Sequence, residues 1–94
     1  IEETFGGRWQ DMENDDGDTL TIYREGDALY CRWEDMEPQQ MVSAYKTGTT
    51  GYYILTRRAN GTTDVLVLDT GKPKDNKVYF FNEWQRELTY AGEA

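Results

Sequence analysis

The stretch from Thr19 to Glu34, TLTIYREGDALYCRWE, limits what this chain can become more than any other part of it. Leu20 and Ile22 alternate with Thr19, Thr21 and Tyr23. Leu29, Cys31 and Trp33 alternate with Ala28, Tyr30, Arg32 and Glu34. A period of two is that of a strand with one face buried and one face wet. Between the two runs stands Glu25-Gly26-Asp27, a short glycine-containing turn of the kind that closes a β-hairpin. A helix would need apolar residues at i, i+3, i+4 and i+7, and no part of the 94 residues keeps that spacing over three turns. The fold class is therefore all-β.

The rest of the chain repeats this grammar. Residues 1–7 are a polar lead-in, and Arg8 to Met12 reads as a first strand. An acidic connection ending at Asp18 follows it. The hairpin supplies the second and third strands, and Pro38 blocks extension of the third. Gln40 to Lys46, Tyr52 to Arg58, Asp64 to Thr70, Lys77 to Asn82 and Trp84 to Tyr90 read as the fourth to eighth strands, with Asn60-Gly61 a strong turn dipeptide. Connections this short make sequence neighbours into sheet neighbours. The expected architecture is an antiparallel up-and-down meander of about eight short strands closed into a small barrel, because closure removes exposed edges. A two-sheet β-sandwich is the alternative the same strands support. Residues 1–94 form one domain, and 14% aromatic residues give so short a chain enough bulk for a core.

Charge is segregated along the chain. Residues 1–37 hold twelve acids against three bases, Arg8, Arg24 and Arg32, a net of −9. The remainder holds six acids against seven bases, a net of +1, and the whole carries −8. Asp11, Glu13, Asp15, Asp16 and Asp18, with Glu34, Asp35 and Glu37, are expected to contribute to one negative face. Such a face steers basic partners and repels nucleic acid and anionic lipid, so neither nucleic acid nor a membrane is expected as a partner.

The residues for chemistry are scarce. There is no histidine, one serine (Ser43) and one cysteine, Cys31, on the apolar side of its strand. Nucleophile–base pairs and Cys/His zinc sites cannot be assembled from that set. In the Asp11–Asp18 loop, setting Gly17 at the sixth position of a calcium-binding loop puts Met12 and Tyr23 where carboxylates belong. No enzyme activity, cofactor or metal is expected. The lone cysteine calls for no oxidising compartment, and a chain beginning at Ile1 leaves a removed leader open, so localisation is undetermined.

Gly7-Arg8-Trp9, at the head of the first strand, resembles the Gly-X-Trp signature that opens lipocalin-like (calycin-type) barrels. In that family an arginine of the last strand packs over the tryptophan, and Arg86 in Trp84-Gln85-Arg86-Glu87-Leu88 stands in the corresponding place. A guanidinium over an indole face would seal the seam between first and last strands. The resemblance implies a carrier or sensor of a small apolar ligand, with Trp9, Trp33, Tyr45, Phe80 and Arg86 as candidate lining. The charge segregation points instead to a non-catalytic binding module or inhibitor that presents its acidic face to a basic protein.

One further expectation comes from the fifth to seventh strands. Tyr52-Tyr53-Ile54-Leu55, Val65-Leu66-Val67-Leu68 and Val78-Tyr79-Phe80-Phe81 are apolar on both faces. A single-sheet core needs only one such face, so the other is expected to be covered, by a second copy in a homodimer or by a constitutive partner.

Overall fold

The computed structural model describes residues 2–11, 19–34, 36–48, 51–69, 77–81 and 85–94. A four-residue helix α1 (Glu2–Phe5) precedes eight strands: β1 (Gly7–Asp11), β2 (Thr19–Glu25), β3 (Ala28–Trp33), β4 (Gln39–Thr47), β5 (Gly51–Arg57), β6 (Thr63–Asp69), β7 (Lys77–Phe81) and β8 (Gln85–Gly92). Each strand pairs antiparallel with the next in one up-and-down sheet. The last strand also pairs with the first, Trp9 opposite Tyr90 and Asp11 opposite Leu88. With all pairings in one sheet, the two-sheet sandwich is not the architecture.

The hairpin forms as its alternation requires. Leu20 and Ile22 are fully buried, Cys31 nearly so, and the turn narrows to Gly26-Asp27 with Glu25 opposite Ala28. Gly26 adopts φ 62°, a left-handed conformation that glycine enters without a Cβ penalty.

The core-facing side of the sheet carries Trp9, Leu20, Ile22, Cys31, Ile54, Leu66, Leu68 and Leu88. Trp33, Met41 and Tyr52 are packed at its margin. In β5 and β6, Ile54 and Thr56 alternate with Tyr53 and Leu55, and Leu66 and Leu68 with Val65 and Val67, so the doubly apolar strands acquire a definite inside and outside.

The lead-in is more than a tether. Glu2 and Glu3 occupy the first turn of α1, where acids suit the helix dipole, and Gly6 N–H bonds back to the Glu2 carbonyl at 2.8 Å. That turn delivers Phe5 into the core, fully buried, its ring edge-on to Tyr52 at 5.6 Å.

Candidate functional site

In an up-and-down sheet every second connection leaves at the same end. By strand order the β1–β2 connection (residues 12–18), the β3–β4 connection (residues 34–38) and the β5–β6 connection (residues 58–62) therefore belong to one end of the sheet, where β1 stops at Asp11; the last brings Arg58, which is paired with Asp64 at 2.9 Å. A hydrogen bond from Glu34 N–H to the Thr19 carbonyl (3.0 Å) ties the base of the β3–β4 connection to that of the β1–β2 connection. Glu13, Asp15, Asp16, Asp18, Glu34, Asp35 and Glu37 belong to these two segments, which hold no base. Glu34 and Glu37 are exposed, and between them Met36 is 49% exposed, an apolar side chain set among acids. Glu13, Asp15, Asp16, Asp18 and Asp35 lie outside the described residues.

Asp11 does not belong to that face. It is 4% exposed, because β1 alternates with Gly7, Trp9 and Asp11 inside and Arg8 and Gln10 outside. The buried Trp9 two residues earlier sets this parity, a signal already present in the sequence.

The candidate lining residues fare unequally. Trp9 and Trp33 flank Leu20 in one register row, on the core-facing side, with Trp9 buried and Trp33 half-buried. Phe80 and Arg86 are paired with each other between β7 and β8, and their side chains lie outside those described. Tyr45 is placed on the opposite face, 70% exposed. The reason is a bulge in β4: Met41 is opposite Thr56 and Ser43 opposite Leu55, so Val42 is an extra residue. One extra residue reverses the parity of all that follows. Met41 packs on the core, and Ser43 and Tyr45, which strict alternation would put beside it, face outward.

The bulge thereby builds the second candidate surface. Two adjacent rows cross β4, β5 and β6 on the outer face: Tyr45–Tyr53–Val67 and Ser43–Leu55–Val65. Tyr53 is 49% and Val65 54% exposed, while Leu55 and Val67 are half-buried. Three of the five exposed large hydrophobic residues among those described stand in these two rows.

The Gly7-Arg8-Trp9 corner has a physical account of its own. A Cβ on Gly7, at φ 127°, would meet Tyr90 Cε1 at 2.6 Å and the Gly92 carbonyl at 2.7 Å, so only glycine lets β1 approach β8 this closely. Trp9 Nε1 donates to the Phe5 carbonyl at 2.8 Å, and its ring meets Tyr90 at 5.2 Å. Arg8, on the outside, donates from Nε to the Glu93 carbonyl (3.0 Å) and from Nη2 to the Ala91 carbonyl (3.3 Å). Tyr90 and Arg8 thus span the β1–β8 seam; neither stood out in the sequence.

Chemistry finds little foothold among the described residues. Burial, joined by the negative charge of Asp64 and opposed by a backbone hydrogen bond, pushes the Cys31 thiol up to about 12, so it stays protonated and unreactive at neutral pH. Ser43 is exposed on the outer face with no histidine in the chain to activate it. Inside, Thr56 Oγ1 donates to Gln39 Oε1 at 2.7 Å, a buried polar pair that satisfies itself. An open cleft of about 720 Å³ between α1 and β2 is bordered by Glu2 and Glu93 as well as Arg24 and Arg32, with Glu2 paired to Arg24. Its charges nearly balance and select no ion of either sign.

No family model, characterised protein or solved structure matches this chain.

Proposed function

We propose that the chain is a small, non-catalytic β-barrel that binds a basic protein surface through its acidic end, as a binding module or inhibitor. The observation that carries this reading is the joint exit of two base-free, acid-rich connections at one end of the sheet, linked by the Glu34–Thr19 hydrogen bond. The seven acids that the sequence puts in these two connections would raise the local concentration of a cationic partner and speed its docking. Met36 supplies the apolar contact that a purely electrostatic encounter lacks. Pairing of β1 with both β2 and β8 supports the barrel.

The Gly7-Arg8-Trp9 corner, bonded to Phe5 and packed on Tyr90, supports a lipocalin-like reading of the architecture. Phe5 and Trp9, however, fill the space where an apolar ligand would lie, which favours a binder over a carrier.

The test is capture of a partner from the source lysate on the immobilised protein, washed from 0.1 to 1 M salt, over which the Debye length falls from about 10 to about 3 Å. A discrete basic protein should be held by the native chain, released by salt, and bound at least about tenfold more weakly by a variant carrying Asp15→Asn, Asp16→Asn, Glu34→Gln and Glu37→Gln. Capture indifferent to both salt and these substitutions overturns the reading.

A further inference from the structure

We infer that the free edge of β4, from Val42 to Lys46, takes an added β-strand, and that its occupant is an extended segment of a partner protein. The inference is separate from the acidic end and does not depend on it. β4 is laddered to β5 from Gln40 through to Thr47, but to β3 only at Gln39 and Gln40. Ala28 and Leu29, the first residues of β3, pair with Glu25 and Arg24 of β2 and have no ladder partner in β4. Beyond Gln40 the two strands part, and the space between Leu29 and Met41, Val42 and Ala44 is an open cleft of about 340 Å³. Exposure marks the same stretch. Ser43, Ala44, Tyr45 and Lys46 are all exposed, whereas a strand covered on one face alternates. Ile54, across the ladder from Ala44, is fully buried, so cover ends between β5 and β4. A strand edge without a partner presents a row of N–H and C=O groups to which another chain can add in extended form.

The side chains along the edge select the occupant. Two copies of β4 brought edge to edge are disfavoured by the bulge at Val42 and by Lys46, devices that keep identical edges from pairing, and each copy brings a net charge of −8. A foreign segment can instead carry side chains that match the edge. Ala44 and Lys46 share the side of the sheet on which their partners Ile54 and Tyr52 pack against the core. Ala44 borders the cleft walled by Leu29 and Met41, and Lys46 makes no ion pair among the described residues. The matching segment therefore has an apolar side chain opposite Ala44 and a carboxylate opposite Lys46, two positions apart on one face. By strand order Ser43–Lys46 lie toward the β4–β5 turn, at the other end of the sheet from the acidic connections, so a single carboxylate there is answered by Lys46 at close range.

Amide exchange with a probe peptide tests this. The probe is a blocked peptide of about eight residues, alternating threonine and valine, in which leucine and glutamate stand two positions apart on the valine side. In the chain alone, those amides of residues 42–46 that point away from β5 should exchange freely at every protein concentration. Saturation with the peptide should slow them by about tenfold or more, and the same peptide with its amides N-methylated should slow none of them, because it cannot complete the ladder. Lys46→Glu, at an exposed position and checked for fold by circular dichroism, should bind the peptide at least about fivefold more weakly, and lysine in place of the peptide's glutamate should restore binding. The four-residue acid-neutralised variant should bind the peptide like the native chain, which separates failure of this inference from failure of the acidic-end reading. Protection of these amides in the chain alone would overturn the inference, and protection that falls on dilution would give the edge to a second copy. A peptide that leaves them unprotected at millimolar concentration, protects other strands instead, or binds Lys46→Glu as tightly as the native chain would overturn it equally.

Discussion

Phe5 is the residue through which α1 joins the core. It is fully buried, lies edge-on to Tyr52, and lends its carbonyl to Trp9 Nε1. Phe5→Ala should cost about 3–5 kcal/mol, the range for emptying an aromatic site, and Trp9→Ala a similar amount. Urea unfolding followed by tryptophan fluorescence measures both; a loss below about 1 kcal/mol at Phe5 would mean that α1 does not seal the core. Trp9 was legible as a core residue from its place in the first strand. Phe5 was not, because it stands alone in a polar segment, and only the turn of α1 aims it inward. Cys31 makes a prediction in pH. Its folded thiol is raised from 9.0 to about 12, so between those values the unfolded chain loses a proton that the folded chain keeps. The resulting stabilisation is whole below pH 9 and is lost as pH rises toward 12, at up to about 1.4 kcal/mol per unit. Cys31→Ala lacks this dependence. The stability gap between native chain and variant should therefore narrow from pH 7 to about pH 11, and a constant gap would contradict the assignment.

Among the elements, the β2–β3 hairpin and the β4–β5 pair mark the two extremes of legibility. In the hairpin the alternation, the glycine turn and the fold agree, and Gly26 at φ 62° has nothing within 4 Å of a would-be Cβ. The cost of replacing it is thus purely conformational. Gly26→Val should destabilise by about 1–2 kcal/mol while Gly26→Asn, which tolerates the left-handed region, should be close to neutral. Equal thermal midpoints for the two variants would exclude the turn geometry described. In β4, by contrast, Gln40 to Lys46 reads as an ordinary strand, and nothing local marks Val42 as the extra residue. The bulge is decided by what β5 offers opposite: Thr56, bonded to Gln39, pairs with Met41, and Leu55 pairs with Ser43. Tyr45, expected among the lining residues, consequently faces outward, and Asp11, expected on the acidic face, is buried, where the parity of Trp9 in the first strand already places it.

At the scale of the whole molecule, the proposed acidic end, where the β1–β2 and β3–β4 connections belong, is distinct from the apolar outer face of β4–β6. Raising salt should weaken the proposed capture at the acidic end, because screening shortens the reach of its carboxylates. The sequence by itself determined the all-β class, the up-and-down order and the concentration of negative charge in the first 37 residues. Alternation, turn residues and short connections act over a few residues and need no distant partner. Only the tertiary structure decided which face of Tyr52–Leu55 and Val65–Leu68 turns inward, because strands apolar on both sides contain no local preference and take their orientation from neighbours. It decided the burial of Phe5 and the meeting of Gly7 with Tyr90 in the same way. The Gly7–Tyr90 contact joins the two ends of the chain and the Phe5–Tyr52 contact its start and middle, and no short-range pattern can encode a distance between residues so far apart in sequence.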